Sequence, residues 1–356
     1  MATTQKALVI TGKGKAEIQT VPVPKVRDGY LLVKVRAAAI NPTDWKTIDS
    51  AEENRFGSRP GCDYAGEVVE LGPGVTRDFK KGDRITGFLF GGHPSVSDSG
   101  AYAEYTLAKT NVALKVPDHV TDAEAATLGI SVTTVAQGLY QTLKLPLPNK
   151  PAATPFPVLV YGGSTATGIY AIKFLKLSGL TVIATSSPKN FELLKSVGAD
   201  HVFDYKSPTV GADIRKLTNN KLKYAWDCTG YGGAICAAAL SDNEEGGKPT
   251  YGTIIPVQRE VIDKVNPIVD GPHFTLGYRA LGTEEDGIPD FLKALPGDVE
   301  YARTFWDMTQ ELINSGKLTP LRPEVNRGGS GLEGILNGLE ELRKDRVSGT
   351  KLVYTF

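Results

Sequence analysis

Residues 158–171 form the stretch that constrains the fold of this chain most strongly. They read Val-Leu-Val-Tyr-Gly-Gly-Ser-Thr-Ala-Thr-Gly-Ile-Tyr-Ala, an apolar strand-like run that breaks into small residues and resumes as a helix. Strand, glycine turn and helix in this order are typical of a βαβ unit, whose turn closes around the pyrophosphate of a dinucleotide. A strand, turn and helix that bind no ligand give the same pattern, so the motif by itself leaves both interpretations open.

The turn departs from the G-x-G-x-x-G fingerprint at one position. Gly163 and Gly168 match the fingerprint, and Thr165 stands where the middle glycine is expected. We predict that Gly168 lets the following helix pack closely on the strand, while the first amides of that helix face the phosphates.

The next predicted strand, residues 180–185, is followed by the sequence Ser-Ser-Pro-Lys-Asn at residues 186–190. An NAD-specific fold usually ends this strand with an acidic residue that binds the ribose 2′-hydroxyl. Because hydroxyls and a lysine stand there instead, the sequence favours the 2′-phosphate of NADPH. The same five residues are also a common N-cap and turn before a helix, which we predict at residues 191–197.

Length and charge limit the kinds of protein this chain can be. Its 356 residues, 41% of them hydrophobic, suffice for two domains with a core each. The 40 basic and 40 acidic residues balance, which argues against a nucleic acid or an anionic membrane as partner. Because the chain has neither a run of about 18 apolar residues nor a signal-peptide core, we expect a cytoplasmic protein.

The texture of the sequence changes near residue 120. Before it, short alternating runs broken by glycine and proline predict a compact β-rich barrel, and after it strands alternate with helices. Thr121, with Glu124 three residues later, predicts a capping box that begins a helix over residues 122–140. The other predicted strands are residues 6–10, 30–37, 67–71, 83–90, 101–107, 201–203, 224–226, 252–257 and 351–356, and the other predicted helices are 299–315 and 331–343.

Several segments resemble the medium-chain dehydrogenase/reductase superfamily, and together they cover almost the whole chain. They are Ala-Ile-Asn-Pro-Thr-Asp at residues 39–44, Pro-Gly-Cys-Asp-Tyr-Ala-Gly at 60–66, Gly-Asp-Arg at 82–84, Gly-Ala-Tyr-Ala-Glu-Tyr at 100–105, and Ser-Gly-Thr-Lys-Leu-Val at 348–353. The resemblance implies an α/β fold with an active site in the cleft between two domains. The implied parts are a GroES-like β-barrel catalytic domain at residues 1–122, a Rossmann NADP-binding domain with a doubly wound parallel sheet at 123–290, and a C-terminal segment at 291–356 that returns to the catalytic domain.

The zinc ligands of the alcohol dehydrogenases in that family are replaced in this chain. Asn41 stands where their first cysteine ligand is expected, and Cys62-Asp63 replaces their histidine–glutamate pair. The other two cysteines, Cys228 and Cys236, lie far along the chain, and the four histidines show no ligand spacing. We therefore predict an enzyme without zinc or any other metal.

Members of the family without zinc reduce carbon–carbon double bonds conjugated to a carbonyl. Hydride adds at the β-carbon, and the protein must stabilise the negative charge that builds on the carbonyl oxygen. Lys46, two residues beyond Thr43-Asp44, is the candidate catalytic residue for this task. The alternative is an ordinary surface lysine.

Further segments resemble the fungal trans-acting enoyl reductases, stand-alone partners of iterative polyketide synthases such as that of the lovastatin pathway. They include Trp-Lys at residues 45–46, Gly-Ile-Ser at 129–131, Leu-Lys-Leu-Pro-Leu-Pro at 143–148 and Val-Phe-Asp-Tyr at 202–205. The resemblance implies a monomeric enzyme of secondary-metabolite biosynthesis that uses NADPH to reduce an enoyl thioester bound to an acyl carrier domain.

The resemblance also implies two sets of site residues besides Lys46. The cofactor-binding set is Thr43, Asp44, Trp45, Lys46, Gly163, Ser164, Thr165, Ala166, Thr167, Gly168, Ser187, Pro188, Lys189, Asn190, Tyr205, Ile254, Ile255, Ser348 and Gly349. The substrate-binding set is Thr133, Thr134, Val135, Ala136, Gln137, Gly138, Leu139, Tyr140, Tyr278, Arg279, Ala280, Leu281 and Gly282.

Two other functions are compatible with these residues. A free-standing quinone or alkenal reductase would share nearly all the cofactor residues and differ in having a small soluble substrate. A non-catalytic interaction subunit that keeps a reductase fold should have lost the glycine turn or Lys46, and both are present.

Overall fold

The structure is a computed structural model that describes residues 3–282 and 288–356. It forms two compact units, Met1–Thr133 together with Gly277–Phe356, and Thr134–Leu276. The first unit extends past the predicted domain limit at residue 122, and the second ends before the predicted limit at residue 290. Residues 1–2 and 283–287, which those predicted domains include, lie outside the described residues.

The first unit is built mainly of β-strands. A hairpin of β1 (Thr4–Gly12) and β2 (Lys15–Pro22) forms a two-stranded antiparallel sheet. A second sheet has seven strands in the order β14-β15-β3-β4-β5-β7, with β6 paired to β3. Its strands are β3 (Tyr30–Ala39), β4 (Asp63–Leu71), β5 (Arg84–Phe88), β6 (Tyr105–Lys109), β7 (Ala113–Lys115), β14 (Glu324–Val325) and β15 (Leu352–Thr355).

The C-terminal part of the chain belongs to this β-rich unit. β15 pairs antiparallel with β3, so that Val353 lies opposite Ala39. Helix α10 (Gly331–Arg343), at the predicted bounds, buries an apolar face with a three-to-four-residue spacing, Leu332, Ile335 and Leu339, in the core of the unit. The remaining helices of the unit are α1 (Pro42–Asp49), α2 (Asp122–Ala125) and α9 (Asp298–Asn314), with α3 (Gly129–Val135) at its boundary.

The second unit holds a six-stranded parallel sheet in the order β10-β9-β8-β11-β12-β13. This is the doubly wound order of dinucleotide-binding folds, and it confirms the Rossmann sheet expected from the sequence. The strands are β8 (Pro157–Tyr161), β9 (Thr181–Ser186), β10 (His201–Asp204), β11 (Tyr224–Asp227), β12 (Thr250–Thr253) and β13 (Asp270–Phe274). The helices are α4 (Ala166–Leu177), α5 (Phe191–Ser196), α6 (Val210–Leu217), α7 (Gly233–Ala239) and α8 (Arg259–Asp263).

The predicted helix over residues 122–140 is wrong as a single element. The capping box at Thr121 is confirmed, because its hydroxyl accepts a hydrogen bond from the Glu124 amide and the Glu124 carboxylate accepts one from the Thr121 amide. The helix that it begins ends at Ala125, α3 starts at Gly129, and residues 136–142 continue as a π-helix. The apolar pattern reports that the segment is buried, but it carries no information on the helix type.

Two predicted strands are shifted in the structure. Residues 101–104 make only an isolated bridge at Ala103, and the strand proper is β6. β12 begins before Gly252 and ends at Thr253, so residues 254–257 follow the strand. No helix within the described residues is long and apolar enough to cross a membrane.

Candidate active site

The glycine turn of the second unit joins β8 to α4. Gly162 has a φ of +76°, a conformation that favours glycine, and the Gly163 amide donates to the Thr185 carbonyl at 2.8 Å. Thr165 is the N-cap of α4: its hydroxyl accepts from the Gly168 amide at 3.0 Å and donates to the Gly162 carbonyl at 2.9 Å. The threonine in place of the middle glycine therefore closes the turn.

This turn has the features that a pyrophosphate requires. A Cβ atom at Gly168 would collide with the carbonyl oxygen of Gly162, so α4 approaches the turn as closely as glycine permits. Residues 164–167 are partly exposed, and the first amides of a helix have no acceptor within the helix. These amides and the helix dipole attract an anion, so the residues present fit the phosphates of a dinucleotide.

The segment that follows β9 presents a lysine to solvent. Ser187 precedes a turn of 3-10 helix, Pro188–Asn190, and its carbonyl accepts from the Asn190 amide at 3.0 Å. The Asn190 side chain is buried, whereas Pro188 and Lys189 are exposed. The Lys189 ammonium is therefore accessible to a ligand at this end of the strand.

Tyr205 follows β10 at the neighbouring strand end. Its ring packs edge-on against Tyr161 with 6.3 Å between centroids, and the Lys206 ammonium lies 5.9 Å from its ring centre. Asp204 stands opposite Ser186 in the register of β10 and β9 and accepts from the Lys206 amide at 3.0 Å. This corner of the sheet thus combines lysines with a carboxylate.

Asp227 organises the loop after β11 at the same sheet edge. Its buried carboxylate accepts from the amides of Thr229 at 2.7 Å, Gly230 at 3.0 Å and Gly232 at 2.7 Å, and from the Tyr251 hydroxyl at 2.9 Å. Three backbone donors on one carboxylate fix the loop conformation. The loop borders the carboxyl edge of the sheet, where the glycine turn also lies.

The predicted pair Ile254 and Ile255 follows β12 and is half-buried. The Ile254 amide donates to the carbonyl of Asp227 at 3.2 Å, and Ile255 packs beside Gly230. The structure thus brings the second-unit members of the predicted cofactor set to the carboxyl ends of one parallel sheet.

In the first unit, α1 begins directly after β3. Asn41 precedes Pro42, the first helical residue, and the Asn41 amide donates to the Asp44 carboxylate at 2.7 Å. The Asn41 side-chain amide donates to Asp63 at 2.9 Å. These contacts fix the start of α1, and with it the position of Thr43.

Asp44 is a buried carboxyl. It accepts from the Tyr102 hydroxyl at 2.7 Å, and its Oδ1 atom has no hydrogen-bond partner within the described residues. Burial raises the pKa of Asp44 to about 6, although the hydrogen bond from Tyr102 acts in the opposite direction and lowers it. Burial and the nearby Asp44 charge also raise the pKa of the Cys62 thiol well above its usual value, so Cys62 stays protonated near neutral pH.

Asp63 has a fixed cation as its partner. Its carboxylate pairs with the Lys351 ammonium, and both side chains are buried, Lys351 to 2% exposure and Asp63 to 0%. The second carboxylate oxygen accepts from the Ile130 amide at 2.6 Å. Together with the bond from Asn41, these donors satisfy the carboxylate within the protein.

Tyr278 brings two predicted sets of residues together. Its hydroxyl lies 2.7 Å from the Thr43 Oγ1 atom and 3.6 Å from the Cys62 Sγ atom. Its ring stacks on Phe90 with 4.2 Å between centroids and touches Phe88 at 5.6 Å. Thr43, from the predicted cofactor set, thus hydrogen-bonds a residue of the predicted substrate set that is 235 positions away.

Lys46 lies on the exposed side of α1. Its ammonium is 5.6 Å from the ring centre of Trp45, and the Arg343 guanidinium is 5.9 Å from the same ring. Trp45 is half-buried and packs against the core of the unit. The Lys46 charge is therefore available to a ligand in solution, and within the described residues its ammonium makes no hydrogen bond to Thr43, Cys62 or Tyr278.

The rest of the predicted substrate set falls in two places. The turn Gly277–Leu281 is anchored in the first unit, where Asn111 donates to the Ala280 carbonyl at 2.6 Å and Lys109 to that of Leu281 at 2.9 Å. Arg279 donates to the Phe291 carbonyl at 3.3 Å, and Gly282 has a φ of +62°.

Residues 133–140 are all buried. The Thr133 hydroxyl accepts from the Trp306 indole at 3.1 Å within the first unit. In the second unit, Tyr140 bonds Ser178 at 2.9 Å, and a Cβ atom at Gly138 would come within 2.5 Å of the Trp226 ring. These contacts are those of packed core residues.

Ser348 and Gly349 lie in the loop between α10 and β15. Gly349 has a φ of +71°, and the loop leads into Lys351. Within the described residues, no group of three or more His, Cys, Asp or Glu side chains is placed to hold a metal ion.

Three site features were not found from the sequence. The Asp63–Lys351 pair had a signal, since a lysine inside an apolar C-terminal strand needs a buried partner. The role of Asp227 could have been predicted from the sequence Asp-Cys-Thr-Gly at the end of a strand, because an aspartate there commonly accepts hydrogen bonds from the backbone of the following turn. Nothing in the sequence links Thr43 to Tyr278.

Two family profiles match the chain. Residues 27–118 match the Alcohol dehydrogenase GroES-like domain, and residues 166–266 match the family called Zinc-binding dehydrogenase. An alcohol dehydrogenase superfamily protein from Novosphingobium aromaticivorans is similar in structure, with a TM-score of 0.79, 20% identity and coverage of 99% of this chain and 100% of that chain. These similarities define the class as the medium-chain dehydrogenase/reductase fold, which confirms the predicted fold class.

Sequence relatives narrow this class. Trans-enoyl reductase ACTTS2 of Alternaria alternata is 40% identical over 351 residues, which cover 99% of this chain and 98% of that protein. Trans-enoyl reductase resD of Aspergillus sclerotiorum is 38% identical over 369 residues, covering 98% and 99%. The chain belongs to the family of fungal trans-enoyl reductases, as its sequence segments predicted.

Proposed function

We propose that this protein is a trans-acting enoyl reductase of polyketide biosynthesis. It uses NADPH to reduce the α,β double bond of an enoyl thioester that is bound to the acyl carrier domain of an iterative polyketide synthase. The observation that carries this proposal is the similarity to relatives named trans-enoyl reductases, at 36 to 44% identity and over 79 to 100% of this chain.

The second unit supplies the cofactor site in this proposal. The glycine turn and residues 164–167 hold the pyrophosphate, and Ser187, Lys189 and Tyr205 surround the 2′-phosphate. When bound, NADPH supplies the hydride that adds to the β-carbon. The positive charge of Lys206, beside Tyr205, is offset by the negative charge of Asp204. The preference for NADPH over NADH is therefore assigned to Lys189.

The first unit supplies the groups that act on the thioester. Thr43, Asp44 and Trp45 shape the nicotinamide side, with Ser348 and Gly349 beside them, and the turn at Tyr278 contacts the acyl chain. Lys46, exposed on α1, orients the cofactor and stabilises the charge on the thioester carbonyl oxygen. This assignment requires only the ammonium charge of Lys46. The ammonium lies over the Trp45 ring and is exposed, so it can contact a ligand.

Zinc chemistry does not fit the residues present. Both oxygens of the Asp63 carboxylate already have protein partners, namely Lys351, Asn41 and the Ile130 amide, and the Lys351 ammonium neutralises the charge that would attract a metal. Among the described residues, no group of three or more His, Cys, Asp or Glu side chains is placed to hold a metal ion, whereas a zinc site needs at least three such ligands. We therefore propose a reduction in which the protein's own donors replace the Lewis acid.

We place the reaction in the cytoplasm, with a monomeric protein that meets its substrate on the synthase. The class of partner has a genomic signature. A neighbouring polyketide synthase gene without a working enoyl reductase domain would be expected.

NADPH consumption with three kinds of substrate tests the proposal. The purified protein receives a carrier-bound enoyl thioester, the same acyl group on a small synthetic thiol, and a set of quinones and alkenals. We expect the carrier-bound thioester to react fastest, because contacts with the carrier raise the local substrate concentration. A quinone or alkenal that outpaces every thioester would identify the small-molecule reductase instead, and no NADPH consumption at all would identify an interaction subunit.

A further inference from the structure

We propose that Tyr278 is the proton donor to the α-carbon of the enoyl thioester. This inference rests on the proposed function and adds the group that completes the reduction. The Thr43 hydroxyl and the Cys62 thiol both lie next to the hydroxyl of Tyr278, a half-buried residue from a distant part of the chain.

The surroundings of Tyr278 hold its hydroxyl in one place. Stacking on Phe90 and contact with Phe88 fix the plane of the ring. The Thr43 hydroxyl at 2.7 Å and the Cys62 thiol at 3.6 Å hold the position of the Tyr278 oxygen, and in each contact either atom could donate the hydrogen. A general acid has to lie within hydrogen-bond reach of the atom that it protonates.

The electrostatics of the site keep Tyr278 protonated until the proton is needed. Burial, together with the Cys62 thiol, raises the pKa of the Tyr278 phenol well above its usual value. The half-buried Arg55 guanidinium lies within electrostatic reach of the same phenol, and its position is held by the Gly92 carbonyl. The charge of Arg55 would favour the phenolate that proton donation leaves behind, against the larger opposing effect of burial.

Tyr278 gives one proton to the substrate and recovers one through Thr43. NADPH, when bound, would supply the hydride for the new C–H bond at the β-carbon, and the substrate would then be an enolate. The O–H bond of Tyr278 breaks, its proton forms the C–H bond at the α-carbon, and the electron pair stays on the Tyr278 oxygen. The Thr43 hydroxyl passes a proton to that oxygen and regains one from solvent.

Two other tyrosines of the first unit, Tyr102 and Tyr64, differ from Tyr278 in their surroundings. The Tyr102 hydroxyl is buried and already donates to Asp44. Tyr64 is fully buried, and its hydroxyl has no hydrogen-bond partner among the residues that the structure describes. Within the described residues, no hydrogen bond joins either phenol to Thr43, whereas Tyr278 has one.

The test uses Tyr278→Phe, which keeps the ring stack and deletes the hydroxyl. The substrate is a carrier-bound 2-methyl-enoyl thioester, because its α-carbon becomes a stereocentre whose configuration reports the proton donor. We expect kcat to fall by about 100-fold with little change in KM, since a positioned general acid contributes on the order of 10²-fold or more. The product should become a mixture of 2-methyl epimers, because water then supplies the proton, while deuteride from labelled NADPH still adds to one face of the β-carbon.

Two further variants make the result specific. Tyr64→Phe deletes a tyrosine hydroxyl from the same unit and should leave kcat and the epimer ratio unchanged. Thr43→Val keeps the phenol but removes its proton return, so we expect a fall in kcat of about tenfold with one epimer still dominant. The thermal unfolding midpoint of each variant shows whether it folds, and Thr43→Val carries the test if Tyr278→Phe does not.

The outcomes separate this inference from the proposed function. If the unmodified protein reduces no enoyl thioester, the proposed function is wrong. If it does, but Tyr278→Phe keeps its kcat, the inference is wrong. A slower Tyr278→Phe protein that still forms one epimer would also overturn the inference, because it would show a merely structural role.

Discussion

Asp44 and Asp63 are two buried carboxylates with opposite electrostatic situations. Asp63 has the Lys351 ammonium and two amide donors, so its charge is compensated. Asp44 accepts from the Tyr102 hydroxyl and the Asn41 amide, and within the described residues it has no cation partner and one unpartnered oxygen. At the scale of single residues, the charge of Asp44 is therefore unfavourable for folding, because it is buried without a compensating cation.

Asp44 should make the stability of the protein depend on pH. Its folded pKa of about 6 lies above the ordinary value of 3.8, so its contribution to folding is fully present below about pH 4 and is lost as the pH rises through about 6. Between pH 4 and 7, we expect the wild type to lose about 2 to 3 kcal/mol of unfolding free energy relative to Asp44→Asn. Urea unfolding of both proteins across this range measures the difference, and a constant difference would contradict the prediction.

Lys189 should decide the choice between NADPH and NADH. Lys189→Ala removes one charge-assisted contact with the 2′-phosphate, so we expect NADPH affinity to fall by about tenfold and NADH affinity to stay the same. Cofactor titration measures both constants. Lys195→Ala is the control, because Lys195 pairs with Glu192 in the next helix and lies outside the proposed site. Equal losses for NADPH and NADH would contradict the assignment.

Lys46 should affect turnover rather than folding. Lys46→Met keeps the apolar stem against Trp45 and removes the charge. Because a preorganised donor contributes about 2.7 to 4 kcal/mol to the transition state, we expect kcat on a carrier-bound enoyl thioester to fall by roughly two to three orders of magnitude. The exposed Lys81→Met serves as the control for losing a surface charge, and full turnover by Lys46→Met would make Lys46 an ordinary surface residue.

At the scale of elements, α4 and the helical segment at the start of the second unit differ in what sets their conformation. α4 is a regular helix, whose start is set locally by the Thr165 cap. The segment after residue 128 changes from α3 to a π-helix, and there Gly138 packs directly against Trp226. A cap is a local signal that the sequence carries, whereas the π-helix depends on which side chains surround it.

The Thr165 cap should matter for both stability and cofactor binding. Thr165→Ala loses the hydrogen bonds to Gly168 and Gly162, so we expect a loss of about 1 kcal/mol of unfolding free energy and weaker NADPH binding. Thr165→Ser keeps the hydroxyl and should stay close to wild type. Chemical unfolding and cofactor titration measure the two effects, and a Thr165→Ala protein that matches Thr165→Ser in both would show that the cap is dispensable.

At the scale of the whole molecule, the chain should work without a metal. The purified protein is expected to hold less than stoichiometric zinc and to keep its NADPH-dependent activity in a strong chelator, because Asp63 is paired with Lys351 and the described residues include no group of three or more His, Cys, Asp or Glu placed to hold a metal. Elemental analysis and activity after dialysis against chelator measure this. One zinc ion per chain, with activity that disappears on its removal, would contradict the prediction.

The sequence alone determined the parts of this protein that depend on neighbouring residues. The glycine turn at residues 158–171, the Thr121 capping box and the apolar face of α10 are local patterns, and each was predicted close to its observed position. The family followed in the same way from short segments, and the relatives confirm it. Only the tertiary structure decided that Thr43 lies 2.7 Å from Tyr278, that Lys351 neutralises Asp63, and that residues 136–142 form a π-helix. These features depend on how distant segments of the chain pack together. No local sequence pattern encodes that packing or the burial that comes with it.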